Sequence, residues 1–239
     1  MSSSSSRSSI STSDPTGGTA RLEAALGYSF RDRLLLEQAL THKSCGRDHN
    51  ERLEFLGDAV LGYLVAERLY RLRPAEREDA LSLIRSSLVR KETLAEVAGE
   101  LELGRYLRLR IGERRSGGHR RISILADALE AIIGAVQCDG GIDAAGALVD
   151  RLLGARMAAA SADTAKDPKT RLQELLQGSN LPVPEYGIEA TTGVAHARTF
   201  TVRCHVPALG LATVASGGSR RAAEAEAAAR MLEQVAALV

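Results

Sequence analysis

Carboxylates set among apolar side chains, at spacings that gather them on one side of a helix, are the residues of this chain best suited to chemistry. Residues 50–61 read Asn-Glu-Arg-Leu-Glu-Phe-Leu-Gly-Asp-Ala-Val-Leu. At about 100° per residue, a helix here places Glu51, Glu54 and Asp58 on one stripe at i, i+3 and i+7, ringed by Leu53, Phe55, Leu56, Val60 and Leu61. Like charges at these spacings repel, and only Arg52 is interleaved to offset them, so the stripe requires a cation from elsewhere. Residues 122–136 make the same demand. In Ile-Ser-Ile-Leu-Ala-Asp-Ala-Leu-Glu-Ala-Ile-Ile-Gly-Ala-Val the only charges are Asp127 and Glu130, three apart and on one face. A helix this apolar is largely buried, and buried carboxylates must be paired, protonated or bound to metal. One reading is ion pairing with arginines from elsewhere, in a chain that has 27 of them. The other is a set of four oxygen ligands, Glu54, Asp58, Asp127 and Glu130, around a hard cation such as Mg²⁺. One helix alone leaves these readings balanced; two acid-bearing apolar helices favour the metal.

Residues 50–61 closely resemble the signature of the ribonuclease III family. Ser116-Gly117-Gly118 followed by Ser123-Ile-Leu-Ala-Asp127-Ala-Leu-Glu130-Ala resembles that family's second acidic block. The resemblance runs from about Thr19 to the C-terminus. It implies an all-α nuclease domain followed by a small α+β (α-β-β-β-α) double-stranded-RNA-binding domain, acting as a homodimer. The implied reaction is Mg²⁺-dependent cleavage of double-stranded RNA, with Mn²⁺ as a substitute ion, leaving 5′-phosphate and 3′-hydroxyl ends with short 3′ overhangs. Its implied setting is rRNA and mRNA processing in the cytoplasm. Asp58 and Glu130 are then the catalytic pair within the metal set. Glu51 and Glu78 are second-tier acids that order the cleft, and Phe55 inserts into the partner subunit. On the RNA-binding domain, the resemblance assigns minor-groove contacts to Thr170, Gln173, Glu174, Gln177 and His196. Duplex RNA is read there by shape and 2′-hydroxyls, so little sequence preference follows.

The elements that must hold these residues can be read from periodicity. Residues 1–19 are Ser/Thr/Gly-rich and too polar to order themselves, so structure is expected from about Arg21. Ser29-Phe-Arg-Asp32 has the form of a capping box ahead of Leu34, Leu35, Ala39 and Leu40. The signature helix is expected to run through Leu64, Val65, Leu69 and Tyr70 until Pro74 ends it. Glu76, Glu78 and Asp79 suit the positive end of a following helix, whose periodicity continues through Leu81, Ile84, Leu88, Leu94 and Val97 to about Leu101. An Arg/Gly-rich loop over 105–118 leads to the second acidic helix, and 142–157 forms a last amphipathic one. These make a nuclease domain over 20–157, a small polar linker over 158–166 and a second domain over 167–239.

In that second domain Asp167-Pro168 starts a helix carrying Leu172, Leu175 and Leu176. Strands are expected over 185–192, 198–206 and 210–216, the middle one alternating Phe200, Val202, Cys204 and Val206 inward. A closing helix over 220–238 turns Ala225, Ala228, Leu232 and Val235 inward. Arg220 and Arg221 stand at its N-terminus, where cations oppose the helix dipole. An anion docked there reverses the sign, and RNA phosphate is the natural candidate. Four positions depart from the family pattern: Arg220 and Arg221 stand where Lys is common, Ile122 where Glu is frequent, and Ala215 where a turn Gly often sits.

Composition bounds the function more loosely. A net charge of +1 gives no bulk support for a nucleic-acid partner, so that case rests on local patches. Cys45, Cys138 and Cys204 are isolated and odd in number, which suits free thiols in a reducing compartment. There is no apolar run of membrane-spanning length and no secretory h-region, so no membrane partner is expected. His42 and His49 lack a tight helical spacing and are not taken as ligands. Two rivals remain. A duplex-RNA binder on a retired nuclease fold has no physical reason to keep uncompensated acids in apolar helices. A helical nucleotide phosphohydrolase would not need the RNA-binding domain, and the chain has no GxxxxGK loop.

Overall fold

The computed structural model describes residues 17–194 and 198–236, which divide into two compact units between Ala162 and Asp163. The first unit is helical: α1 (Gly17–Leu26), α2 (Arg33–Ala39), α3 (Glu51–Leu72), α4 (Glu78–Val89), α5 (Lys91–Glu100), α6 (Ile111–Arg115) and α7 (Ile122–Ala159). Its centre is the packing of α3 along α7. Residues 128–136 of α7 are buried on every side, Glu130 among them. Leu61, Leu64 and Leu69 from α3, Ile84 from α4 and Leu94 from α5 complete the core with Leu129, Ile132 and Ile133. An apolar helix this heavily covered belongs in the middle of its domain.

Four local features differ from the expectations. Helix α1 begins at Gly17, ahead of Arg21 and inside the stretch read as tail. The cap of α2 is Asp32 itself, whose side chain accepts from the Leu34 N–H, and Ser29 has no part in it. Carboxylates from elsewhere fix the preceding backbone: Glu23 accepts from the Phe30 N–H at 2.7 Å, and Asp139 from the Arg31 and Asp32 N–H groups at 2.9 Å each. The periodicity over 81–101 covers two helices. Arg90, at φ −68° and ψ 153°, separates them, and the Thr93 hydroxyl donates to the Ser87 carbonyl at 2.7 Å across the break. Conversely, the second acidic helix and the amphipathic one after it abut at Gly141, whose φ of 80° and ψ of −174° kink α7. Only glycine adopts that conformation readily.

The second unit carries α9 (Pro168–Gly178), β1 (Glu185–Thr192), β2 (Thr199–Val206), β3 (Leu211–Gly217) and α10 (Arg220–Ala236). A four-residue helix, α8 (Ala162–Ala165), lies in the stretch expected to be linker. Asp167 caps α9 by accepting from the Lys169 N–H, with Pro168 in the first turn. The sheet is antiparallel in the order β1-β2-β3, with Phe200 opposite Gly217 and Val206 opposite Leu211. Its core joins Leu172 and Leu176 to Cys204, Val206, Ala215 and Met231. The buried face of α10 is Ala223, Ala227, Ala228, Met231 and Val235; the expected Ala225 and Leu232 lie at its margins, half-buried. Ala215 is not in a turn at all: it pairs with Val202 inside β3 and is 3% exposed, so a small side chain suits it. The left-handed turn residue between β2 and β3 is Gly210, at φ 65°.

Candidate metal centre and RNA-binding face

The acids meet because two helix backbones nearly touch. A Cβ on Gly57 would lie 1.8 Å from the Glu130 carbonyl oxygen, and one on Gly134 would lie 2.2 Å from that of Leu53. Only glycine permits such an approach, so Gly57 and Gly134 bring the acidic turns of α3 and α7 into register. Carboxylate oxygens of Glu54, Asp127 and Glu130 consequently lie within 4.8 Å of one another. Asp58, one turn along α3, is outside that group and more exposed, yet its charge bears on Glu130.

Burial pushes the Glu130 carboxyl from 4.5 up to about 7, and the charges of Asp58, Asp127 and Glu54 add to the effect while Lys91 opposes it. Glu54 is raised in the same direction, first by burial and then by Asp127. The cation that does reach the cluster is a lysine: Lys91, the first residue of α5, donates to Asp127 Oδ1 at 2.8 Å. Among the described residues no arginine pairs with Glu54, Asp58 or Glu130, so the arginine-paired reading of these helices does not hold. Three oxygen-donor side chains, two of them with pKa values raised by burial and mutual repulsion, fit a hard divalent cation.

The second-tier acids separate. Glu51 is exposed at the start of α3, paired with Lys43 at 3.0 Å and His49 at 3.7 Å, and the Lys43 hydrogen bond holds its carboxyl below the ordinary value. Lys43 itself feels Glu54 and Asp127, so it borders the same cluster. Glu78 begins α4, accepts from the Ser82 hydroxyl at 2.7 Å and is not part of the three-acid group. His42 caps the short turn Lys43–Cys45 by accepting from the Ser44 N–H, and burial lowers its pKa.

Sequence reasoning missed Lys91 and the Gly57–Gly134 crossing. The signal for Lys91 was its residue type, one of 4 lysines beside 27 arginines. That for the glycines was a Gly in each acidic helix, placed between or beside the acids.

On α3, Phe55 is 81% exposed, with Tyr63 and Tyr70 exposed on the same side of the helix. An apolar stripe of this size on an otherwise core helix is surface that an interface would cover.

In the second unit Thr170, Gln173, Glu174 and Gln177 are all exposed along α9, with Glu174 paired to Lys166 at 2.5 Å. His196 lies outside the described residues. The two arginines at the start of α10 are not equivalent. Arg220 is held by Glu224 at 2.7 Å, and Glu224 also takes Lys169 at 2.5 Å. Arg221 is 89% exposed, with Asp167 no nearer than 3.9 Å. Arg221 is therefore the freer cation of the two, while Arg220 holds the Glu224 carboxylate that Lys169 ties to α9.

The family described as Ribonuclease-III-like matches residues 32–156, and the double-stranded RNA binding motif matches residues 168–235. A protein named Ribonuclease 3 from Variovorax paradoxus is 53% identical, over 90% of this chain and 95% of its own length. Another Ribonuclease 3, from Thiobacillus denitrificans, is 54% identical over 87% of this chain and 93% of its own. Among solved structures, the nuclease domain of a ribonuclease III from Campylobacter jejuni is 42% identical with a TM-score of 0.57, covering 59% of this chain and 97% of that one. A second structure of that domain, with a TM-score of 0.53, is described as flexible in the region involved in dimer formation.

Proposed function

The chain belongs to the ribonuclease III family of endoribonucleases acting on double-stranded RNA, and on that premise we propose a Mg²⁺-dependent cut leaving 5′-phosphate and 3′-hydroxyl ends with short 3′ overhangs. The observation that carries this reading is the convergence of Glu54, Asp127 and Glu130 within 4.8 Å, with burial pushing the Glu130 carboxyl up to about 7. These three hold the ion, and Asp58, adjacent to Glu130 by charge, is the fourth ligand. When bound, the ion supplies Lewis acidity, making water a competent nucleophile near neutral pH and offsetting charge on the phosphodiester. Mn²⁺, another oxygen-loving divalent cation, substitutes. Asp58 and Glu130 are the catalytic pair within this set, Glu130 being the buried acid at its centre. Glu51, fixed by Lys43, and Glu78 order the rim of the cleft.

The second domain, over 167–239, holds the duplex. Thr170, Gln173, Glu174 and Gln177 line the minor groove with His196, while phosphate falls to Arg221, since Glu224 holds Arg220. Phe55 docks into a second copy, so that two acidic sites serve one duplex; its 81% exposure and the dimer described for the Campylobacter domain support this. Free thiols at Cys45, Cys138 and Cys204 suit a reducing compartment such as the cytoplasm, where the duplex substrates would be rRNA and mRNA precursors. Among the described residues no helix is long and apolar enough to cross a membrane.

The test is an end-labelled perfect RNA duplex incubated with the protein and Mg²⁺, with EDTA, and with Glu130→Gln. Cleavage in the first reaction alone, with 5′-phosphate ends, is the expected result. Binding without cleavage in all three would identify a duplex-RNA binder instead.

A further inference from the structure

We propose that Lys91 is a tethered cation that occupies the metal cluster in the ion-free protein and must be displaced from Asp127 when a divalent ion binds, so that it sets the ion concentration at which the site fills. The inference rests on the metal reading of Glu54, Asp127 and Glu130. Lys91 Nζ lies 2.8 Å from Asp127 Oδ1, and the charges of Glu130 and Glu54 also stabilise its ammonium. One monovalent head group therefore serves all three acids of the cluster.

Its position suits an exchangeable occupant. Lys91 is the first residue of α5, where a cation opposes the helix dipole, so nothing local favours the charge there. The side chain is 55% exposed and the cluster side of it is Asp127, 26% exposed, so the ammonium can swing into water on its flexible stem. Residue type points the same way. Arginine would grip a carboxylate with a planar two-pronged fork, whereas an ammonium is a strongly hydrated point charge that exchanges readily with solvent or a metal ion. With arginine at 27 of 31 basic positions, lysine here departs from the chain's own habit.

Loading thus exchanges the ammonium on Asp127 for a divalent ion. The ion must displace an ion pair and then bind beside a positive charge that remains tethered nearby. Partly exposed pairs of this kind contribute little, and residual repulsion adds to the effect. Removing the charge should therefore tighten ion binding by about three- to tenfold.

The experiment uses the full chain without RNA, at constant ionic strength. Free Mn²⁺ is followed by electron paramagnetic resonance during titration of wild type, Lys91→Met, Lys91→Arg and Glu130→Gln, and the Mg²⁺-dependent rise in melting temperature is measured on the same samples. Lys91→Met should bind Mn²⁺ about three- to tenfold more tightly than wild type. Lys91→Arg, which keeps the charge, should bind no more tightly than wild type. If Lys91→Met does not fold, Lys91→Gln removes the same charge while keeping a hydrogen bond to Asp127, and carries the same expectation. Equal or weaker binding by the neutral variants, with wild type and Glu130→Gln clearly different, overturns the role of Lys91 and leaves the metal reading intact. Absence of saturable binding by wild type, or binding indifferent to Glu130→Gln, overturns both.

Discussion

Replacing Glu130 with Gln should stabilise the ion-free protein, and only on the alkaline side of its titration. Glu130 is 7% exposed, and its carboxyl is pushed from 4.5 to about 7 by burial and by Asp58, Asp127 and Glu54. Between those pH values the folded protein holds a proton that the unfolded chain has released. Stability therefore falls as pH rises through the window, and the full cost applies above it. At about 1.36 kcal/mol per pH unit the cost of ionising Glu130 is a little over ~3 kcal/mol; shared among coupled acids, about 2 to 3 kcal/mol is recoverable by the neutral amide. For a chain of this size that corresponds to a rise in melting temperature of about 4 to 12 °C. The assay is thermal unfolding in EDTA at pH 5 and pH 8. At pH 5 wild type and Glu130→Gln should differ little, because the folded carboxyl is protonated and only the first part of the window has been crossed. At pH 8 the variant should melt higher. Added Mg²⁺ should raise wild type and leave the variant nearly unmoved, since ligand binding stabilises only the state that binds it. Equal melting temperatures at pH 8 in EDTA, or a less stable variant, would refute the claim that Glu130 is buried against uncompensated charge.

Gly57→Ala and Gly134→Ala each place a Cβ about 2 Å from a backbone oxygen of the facing helix, so each should cost about 1 to 3 kcal/mol or more. Because the same contact aligns the acids, Mg²⁺-dependent stabilisation should fall along with the melting temperature. Phe55→Arg should leave the melting of isolated subunits nearly unchanged while shifting sedimentation from dimer to monomer at micromolar concentration; a dimer that persists removes Phe55 from the interface. Arg221→Ala should lower the slope of log K against log salt for duplex RNA by about one unit, as expected for one lost phosphate contact. Arg220→Ala should instead mainly destabilise the second domain, because it frees the 10% exposed Glu224 carboxylate from one of its two cations.

Much of the fold was legible because periodicity and stop signals agreed. Pro74 follows the end of α3 as expected, and the alternation of Val202, Cys204 and Val206 fixed the inner face of β2. The failures fall where a backbone break is paid for by tertiary contacts. Nothing in Leu88-Val-Arg-Lys91 signals that Arg90 leaves the helix, because the turn is stabilised by a hydroxyl from Thr93. The cap at Asp32 was misplaced by three residues because Glu23 and Asp139, from distant elements, fix the backbone that precedes it. On α10 the error is one of phase: its alanines lie on every side of the helix, so a face chosen by spacing alone can rotate by a residue, and Met231 decides the true one.

The site was legible to a different depth. Residue type and spacing assembled the acids, since three of them, one from α3 and two from α7, converge as an oxygen cluster. What spacing cannot give is the height of one helix against another, and that height decides which acids come together. The Gly57–Gly134 crossing sets α3 so that Glu54 reaches the two α7 carboxylates. Asp58, shorter by one methylene and a turn further on, remains at the rim and acts on Glu130 through its charge. The identity of the compensating cation is likewise a tertiary fact. Both α3 and α7 lack a lysine, so no reading of either helix could supply one; it arrives from the first residue of α5, where residue type alone marks it and nothing in the sequence points it toward Asp127. An acidic cluster that must be stable before its ion arrives needs some positive charge, and a charge held too firmly would keep the ion out. On the proposed metal reading, a single exposed lysine on Asp127, with no ion pair on Glu54 or Glu130 among the described residues, meets both requirements at once.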